Sequence, residues 1–427
     1  MRGIILKTFI TALFLLSVVP LQSTLSGELP LLQINTFKKF IKKKTQIKAT
    51  LSLEDQAPQE ILIRRRGKTS DGFRKKQYQF KFIDKEGKSI KKTLFDFHKG
   101  KKWILNGPYI DKTLMRNTLA YGVARDLKNS KGGTWYAPST LYVELKINNS
   151  YRGVYILIDK IARGKKRVSI KKFKNGNKEF ILEIHGETFG SKADFKSKEK
   201  TPLQFFQPSR KDIAEGGESG QKVKLEIQQI VDDFEEKLKL AKTLDDLKGV
   251  MDVTSFANYF LMQEIFKNLD GFRRSAYFFY KKGVMHMGPI WDFNISMGNF
   301  VFYKKIMKPK GFMYDKEKYF DGNQNVFWFK KLMSLKGFRE KVRALYREGR
   351  KPKGAFHLSN FKRHMESFKN QLGEEGIKRN FKKWRLIGRP LTPLFYTPRP
   401  TPKTYEGEIL KIEGWLQKRL LWLDSNL

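Results

Sequence analysis

The order in which two hydrophobic periodicities follow one another constrains the fold of this 427-residue chain most strongly. Short segments within residues 29–158 alternate apolar and polar side chains; in one of them Tyr78, Phe80 and Phe82 share a face. Alternation with period two is typical of half-buried β-strands. From residue 223 onward, apolar residues recur mainly at helical spacing. The sequence therefore predicts an α+β fold with two lobes, a strand-rich N-lobe and a helix-rich C-lobe.

The two predicted lobes meet near residue 160. We expect a strand-rich lobe over residues 27–160 and a helical lobe over residues 161–427. The first lobe is predicted to carry one helix over residues 112–127, with Asp111 as its N-cap. Residues 186–221 are polar and contain two adjacent glycines, which predicts an irregular insertion in the second lobe.

Residues 1–26 have the composition of a signal peptide. Arg2 and Lys7 form a basic start, residues 9–19 are apolar, and Thr24 and Ser26 supply small residues before a cleavage point. The apolar run is shorter than the roughly 20 residues of a membrane-spanning helix. A cleaved signal is therefore favoured over a retained anchor, and we expect an exported protein that is periplasmic or extracellular. No later segment predicts a transmembrane span.

Cysteine usage and net charge limit the classes of partner and metal site. The chain has no cysteine and a formal net charge of +43. Disulfides and thiolate metal sites are therefore excluded, and stability must come from the hydrophobic core. The excess of Lys indicates either an anionic partner, such as an envelope surface, or lysines spread over solvated faces. The export signal argues against a nucleic-acid partner.

Two carboxylates bracket a predicted aromatic hairpin. Asp270 ends a predicted helix, Asp292 follows Trp291, and an aromatic strand over residues 276–280 lies between them. A hairpin of this length can bring its two ends together, so that one carboxylate acts as a base while the other holds a divalent metal. Asn294 adds an amide oxygen of the kind that Mg²⁺ prefers. Each residue alone has an ordinary alternative as a polar turn residue.

Basic residues in the predicted first lobe are candidate nucleotide contacts. Residues 66–70, Arg-Gly-Lys-Thr-Ser, form a small basic loop whose backbone N–H groups can cover phosphates. Lys76 and Lys81 lie beside and within the next strand, where a lysine can neutralise phosphates. Arg116 can orient a phosphate or a carboxylate. We take Arg66, Lys76, Lys81 and Arg116 as candidates; simple exposure and an ordinary surface ion pair are the alternatives.

Several enzyme classes lack support in the sequence. The five histidines show no metal-ligand spacing of the His-Glu-x-x-His type, which argues against a zinc enzyme. A Gly-x-Ser-x-Gly nucleophile elbow and a Walker A loop are both absent.

Taken together, these segments resemble the spore-coat-H (CotH) kinase family. The similar segments occur in the family's order: RGKTS at 66–70, KKQYQFKF at 75–82, DKTLMRNTLAY at 111–121, NNSYRGVYILI at 148–158, KNLDGFRRSAY at 267–277, GPIWDFNISMGN at 288–299 and WLQKRLLWLDSN at 415–426. Each motif alone is modest, but the ordered set covers nearly all of the chain beyond the signal.

The resemblance implies a divergent protein-kinase-like fold and ATP-dependent phosphorylation of Ser or Thr in a protein substrate, with Mg²⁺ or Mn²⁺. By motif, Asp270 corresponds to the catalytic-loop aspartate and Asp292 to the metal-binding aspartate, with Asn294 beside it as a second ligand. Lys76 or Lys81 corresponds to the phosphate-binding lysine, and the sequence does not decide between them.

Two other functions stay open at this point. The same nucleotide site can serve transfer of AMP or of an amino acid, because those reactions also need ATP, a metal and acidic residues. A non-enzymatic envelope module that binds anionic polymers predicts salt-dependent adsorption and no stabilisation by nucleotide.

Overall fold

The computed structural model describes residues 28–54, 56–174, 176–187, 192–300, 307–316, 324–391 and 400–427. The predicted signal peptide therefore lies outside the described residues, as do residues 188–191 of the predicted insertion.

The first half of the chain closes into a seven-stranded barrel. Its strands are β1 (Leu31–Asn35), β2 (Ile47–Leu53), β3 (Gln59–Arg66), β4 (Gln77–Phe82), β5 (Trp103–Asn106), β6 (Thr140–Ile147) and β7 (Ser150–Asp159). They follow the order β1-β2-β3-β4-β5-β7-β6. All neighbours are antiparallel except β1 and β6, whose parallel pairing closes the barrel.

Alternation along β4 shows how the barrel is filled. Tyr78, Phe80 and Phe82 point into a core that also contains Ile61 and Ile63 of β3. Because successive side chains of a strand point to opposite faces, the intervening polar residues of β4 lie on the outer face of the barrel. There they are paired in register with the outward residues of β3.

Helix α1 (Arg116–Asp126) packs against the outer side of the barrel, and its start differs from the prediction. Asp111 is not the N-cap of a helix over residues 112–127. Its carboxylate accepts hydrogen bonds from the backbone N–H groups of Thr113 (3.2 Å) and Arg116 (2.8 Å). Leu114 has a left-handed φ of +62°, so residues 111–115 form a turn that precedes the helix.

A second, antiparallel sheet follows the barrel. Its strands are β8 (Phe180–Ile184), β9 (Phe195–Lys196), β10 (Pro202–Gln207), β11 (Ala276–Lys281) and β12 (Val284–Met287), in the order β12-β11-β8-β10-β9. The predicted aromatic hairpin is confirmed as β11 and β12.

The prediction of an irregular insertion over residues 186–221 was wrong for its described part. That part contains β9, β10, helix α2 (Arg210–Glu215) and the first turn of helix α3 (Gly217–Leu240). The rings of Phe195 and Phe205 pack in a tilted arrangement at a centroid distance of 5.1 Å and are both buried. Ser209 and Asp212 form a capping box at the start of α2. Strand β9 has only two residues, and Lys and Ser occur beside it in residues 196–200, so alternation is weak in the sequence.

The rest of the chain is mainly helical. The remaining helices are α4 (Val253–Ile265), α5 (Trp328–Ser334), α6 (Lys336–Arg350), α7 (Leu358–Leu372), α8 (Glu374–Trp384) and α9 (Tyr405–Asn426). Helix α4 is buried along nearly its whole length, and Asp252 caps it as the sequence predicts, accepting from the N–H of Ser255 at 2.7 Å. The buried Arg419 of α9 forms an ion pair with Glu264 of α4 at 2.9 Å.

The α+β class is confirmed, with strands concentrated in the first half of the chain and helices in the second. The strand-rich part is a closed barrel, and a kinase-like two-lobed organisation stays a prediction. Among the helices that the structure describes, none combines the length and apolar character needed to cross a membrane.

Candidate functional site

The loop after β12 presents Asp292 in an unusual backbone conformation. Asp292 has a left-handed φ of +59°, which is uncommon for residues other than Gly, although Asp and Asn adopt it more often than most. Its N–H donates to the hydroxyl of Tyr121 (3.3 Å) on α1, and its carbonyl accepts from the Asn268 amide (3.2 Å). Contacts from two other parts of the chain therefore hold this conformation in place.

A chain of amide contacts sets the orientation of Asn294. The backbone N–H of Phe293 donates to Oδ1 of Asn117 at 2.7 Å, which fixes the Asn117 amide. Its Nδ2 then donates to Oδ1 of Asn294 at 2.8 Å. The remaining amide group of Asn294, its Nδ2, donates to the Asp292 carboxylate. Asn294 therefore directs a donor, and not its amide oxygen, toward Asp292 in this structure.

Asp270 lies in the turn that follows α4. Gly271, the next residue, has no room for a side chain, because a Cβ would lie 2.1 Å from the Gln263 amide oxygen. The Tyr259 hydroxyl donates to the Gly271 carbonyl at 2.6 Å, which fixes the turn on α4. Arg273 and Arg274 both approach the Asp270 carboxylate to 2.9 Å. Asp270 therefore has cationic partners close by.

Asp292 differs from Asp270 in its ion pairs with cationic side chains. No ion pair joins Asp292 to a residue within the described ranges. Burial, and after it the negative charge of Asp270, raise the pKa of Asp292 to about 6, while Arg66 and Arg274 act in the opposite direction. The effect of Asp270 on the pKa of Asp292 shows that the structure brings the two predicted aspartates into electrostatic range of each other.

A cationic cluster from the barrel reaches these carboxylates through Arg66, whose charge opposes the rise in the pKa of Asp292. Lys160 directly follows β7, and its Nζ lies 4.7 Å from the Phe206 ring centroid. Burial, and then the positive charges of Lys102, Arg66 and Arg64, lower the pKa of Lys160 to about 7. We call Arg64, Arg66, Lys102 and Lys160 the barrel cation cluster.

Arg66 connects the barrel cation cluster to the aspartates. Its guanidinium donates to the Gln77 side chain at 2.9 Å and lies 5.9 Å from the Trp291 ring centroid. Its charge affects the pKa values of both Asp292 and Lys160. Glu183 of β8 also affects both pKa values. The two sets of charged groups therefore belong to one site.

The basic loop predicted to cover phosphates approaches this site. Gly67 has a φ of +106°, a value that suits glycine alone. Lys68 Nζ lies 3.1 Å from a ring nitrogen of His185. Burial lowers the pKa of Lys68, and the charges of Glu183 and Asp270 partly oppose that effect.

The candidate lysines have different surroundings. Lys76 Nζ donates to the Asp71 carbonyl at 2.7 Å. Lys81 lies on the outward side of β4, and its charge contributes to lowering the pKa of Lys102. Lys75 is buried, with its Nζ on the Val154 carbonyl and the Asn380 amide oxygen. Of Lys76 and Lys81, only Lys81 therefore adds its charge to the barrel cation cluster.

Arg116 supports the loop that carries Asp292. It is buried, and its guanidinium contacts the Asp111 carboxylate at 2.5 Å and the Ser296 carbonyl at 3.2 Å. The alternative for Arg116, an ordinary surface ion pair, is wrong, because this pair is buried. These contacts favour a positioning role for Arg116 over direct contact with phosphate.

Several residues of the site escaped the sequence-based reasoning. Lys160 and Glu183 carry charge into the site, while Asn117 and Tyr121 orient the Asp292 loop. Asn117 and Tyr121 lie within the motif at 111–121 that supported the family resemblance, so this motif was the available signal. Lys160 had no signal, because it is one of many lysines.

The arrangement suits a polyanion together with a divalent cation. Burial, and after it like charges, lower the pKa of Lys160 and raise that of Asp292, so an anion at the first and a cation at the second would each relieve repulsion. Among the described residues, however, no group of three or more His, Asp or Glu side chains forms a ready metal cage. A metal bound here would thus need ligands from its substrate, as Mg²⁺ in phosphoryl-transfer sites commonly does.

A cavity of about 470 Å³ lies elsewhere on the protein and does not contain this site. Trp135, Gly288 and Pro289 contribute to its lining, whereas neither aspartate does.

A comparison with known protein families identifies the family of this chain. The family model described as CotH kinase protein matches residues 63–423, which is most of the chain. The chain therefore belongs to the CotH kinase family, and the resemblance seen in its motifs is confirmed. Membership of this family supports a kinase-like phosphotransferase activity. A kinase-like family in general implies ATP and a divalent metal. None of the curated proteins compared with the chain matches it significantly.

Proposed function

We propose that this chain is an exported protein kinase that transfers the γ-phosphoryl group of ATP to Ser or Thr hydroxyls of a protein substrate. The observation that carries the proposal is the pairing of a strained, partly buried Asp292 with Asp270, opposite the barrel cation cluster. Phosphoryl transfer is catalysed mainly by positioning and by charge stabilisation, and both elements are present here. A kinase-like organisation in two lobes is part of this proposal.

The barrel cation cluster is proposed to hold the phosphates. Lys160 has a pKa of about 7 because burial and three neighbouring cations disfavour its charged form. A phosphate beside it would restore that charge, so binding would draw a proton onto Lys160 near neutral pH. Arg66, between Lys160 and Asp292, is proposed to align the phosphates with the carboxylates. Lys81 is the better of the two predicted lysines for this role.

Asp292 is proposed to hold Mg²⁺ or Mn²⁺. When bound, such an ion neutralises charge on the phosphates of ATP. The left-handed turn, with the Tyr121 and Asn268 contacts, aims the carboxylate, and Asn294 holds one of its oxygens by donation. Asn294 is therefore proposed to orient Asp292, a change from its expected role as a second metal ligand.

Asp270 is proposed to act on the acceptor hydroxyl. The two arginines hold its carboxylate in position beside the substrate. From there it would accept a hydrogen bond from the Ser or Thr hydroxyl and take its proton as the oxygen bonds to the γ-phosphorus and the bond from that phosphorus to ADP breaks, releasing ADP. The basic loop around Lys68 lies within electrostatic range of Asp270 and is proposed to close over the phosphates.

Label transfer tests the proposal. The protein would be incubated with Mg²⁺ or Mn²⁺, dephosphorylated casein as a Ser- and Thr-bearing probe, and ATP labelled on either its γ- or its α-phosphate. We expect γ-label on the protein or the probe at Ser or Thr, and its loss in Asp270→Asn and Asp292→Asn. The exposed Asp245 provides a matched control as Asp245→Asn.

The outcomes separate the competing functions. Transfer of the α-label would show AMP transfer at the same site and would overturn the proposed reaction. Equal γ-label transfer by wild type and by Asp292→Asn would refute the assigned role of Asp292.

A further inference from the structure

The loop between β1 and β2 exposes two aromatic rings. Six large hydrophobic side chains of the described residues are exposed, and the two aromatic ones among them are Phe37 (59%) and Phe40 (69%). They lie within four residues of each other in a protein whose remaining aromatic residues are mostly buried. We call residues 37–44 the Phe37–Lys44 loop. Clustering of exposed rings on one short loop indicates a contact surface.

The Phe37–Lys44 loop is held in place at its base. Thr36 is fully buried; its N–H donates to the Asn148 side chain at 2.8 Å, and its hydroxyl donates to the Lys39 carbonyl at 2.9 Å. Ile41 packs into the barrel core. Phe37 and Lys38 have left-handed φ values of +54° and +61°, which are uncommon for such side chains. The fold therefore holds the Phe37 ring outward through a strained turn.

The same loop is strongly basic. Its five lysines are exposed: Lys38, Lys39, Lys42, Lys43 and Lys44. Residues 29–53 contain no Asp or Glu. Lys43 lies 3.9 Å from the Asp71 carboxylate, while no ion pair with a described residue joins the other four. The Arg65 guanidinium lies over the Phe40 ring, 5.4 Å from its centroid. The loop thus places its exposed aromatic side chains among positively charged lysines.

We propose that the Phe37–Lys44 loop docks this protein onto an anionic lipid surface. Aromatic rings partition into the boundary between head groups and acyl chains, and lysines beside them contact anionic head groups. The two features act together, since neither two rings nor five lysines alone give firm attachment. A free acidic polymer would use the lysines but would have no apolar layer to accept the rings, so the exposed rings favour lipid.

Docking would place the candidate site near the lipid. The loop contacts β3 through the Arg65 N–H and the Lys42 carbonyl at 2.9 Å, and it reaches Asp71 through Lys43. Asp71 lies in the basic connection that leads from β3 to β4. A protein substrate held at the same lipid surface would therefore be close to the phosphate-covering loop. The docking itself does not depend on the proposed kinase activity.

Vesicle sedimentation tests the proposal. The exported protein, with the N-terminus left by export, would be mixed with phosphatidylcholine vesicles or with vesicles that also contain phosphatidylglycerol. We expect binding to the anionic vesicles only. Phe37→Ser with Phe40→Ser retains every charge and should weaken binding about tenfold or more per ring. Lys42→Gln with Lys44→Gln should weaken it about fivefold per lysine.

Matched controls separate docking by this loop from general adsorption. Leu421→Ser removes another exposed apolar side chain, and Lys382→Gln with Lys383→Gln removes two exposed lysines on α8. Both should bind like wild type, and circular dichroism would confirm that all variants are folded. Equal losses in loop and control variants would overturn the proposal in favour of general adsorption. Binding unchanged by the Phe substitutions, with equal affinity for soluble polyglutamate, would overturn it in favour of a polyanion surface.

Discussion

Replacing Asp292 by Asn should stabilise the metal-free protein at alkaline pH. Burial and Asp270 raise the pKa of this carboxyl from 3.8 to about 6. This rise of about two in the pKa corresponds to a free energy of about 3 kcal/mol, at about 1.4 kcal/mol per pKa unit. Because the side chain is partly exposed and solvent screens its charge, we expect a gain of about 2 kcal/mol. The Asn side chain keeps an oxygen that accepts from Asn294.

The stability difference between Asp292→Asn and wild type depends on pH. Above pH 6, Asp292 is charged in both folded and unfolded states, so wild type carries the full penalty. As pH falls from 6 through 3.8 the folded state takes up its proton first, and the advantage of the variant disappears. Urea unfolding with EDTA at pH 8 and pH 4.5 would measure both values.

Asp270→Asn is the matched contrast, since it removes a charge that has cationic partners. This variant should be less stable than wild type at pH 8. Equal stability of Asp292→Asn and wild type at pH 8, or a gain at pH 4.5 as large as that at pH 8, would refute the electrostatic description of the site.

Three further changes probe other parts of the account. Lys160→Gln should flatten the pH dependence of ATP affinity, measured by calorimetry between pH 7 and 9, because wild type must protonate a lysine of pKa about 7 on binding. Asn117→Ala should lower Mg²⁺ affinity in the presence of ATP by about 10- to 100-fold, because it releases Asn294 and through it Asp292. Arg419→Met should destabilise the fold by about 3–5 kcal/mol in urea unfolding, since it leaves Glu264 buried without its partner; an unchanged midpoint would contradict this.

Local patterns in the sequence predicted much of the fold. The alternation in β4 and the aromatic hairpin of β11 and β12 are visible as residue periodicities and are confirmed. Barrel closure was not predictable in this way, because it depends on the parallel pairing of β1 with β6, more than 100 residues apart. The strands within the predicted insertion were missed because only one residue of β9 and two residues of β10 are buried.

The site, like the fold, was predictable where the signal is local in the sequence and not where it depends on distant residues. Asp270 and Asp292 stand out because they bracket a hairpin, and the structure brings them into electrostatic range. Lys160 could not be distinguished from other lysines, because its lowered pKa arises from burial beside residues distant in the sequence. The amide orientation of Asn294 likewise depends on Asn117, far away in the chain.

Thermal unfolding with ATP and Mg²⁺ tests the central claim, a nucleotide–metal site built around Asp292, most directly. A ligand that binds only the folded state stabilises it by about 2.7 kcal/mol at 100 times its Kd. The account predicts that ATP raises the unfolding temperature of wild type only when the metal is present, and that Asp292→Ala loses this shift. The absence of any shift in folded wild type, or an equal shift in the variant, would contradict it.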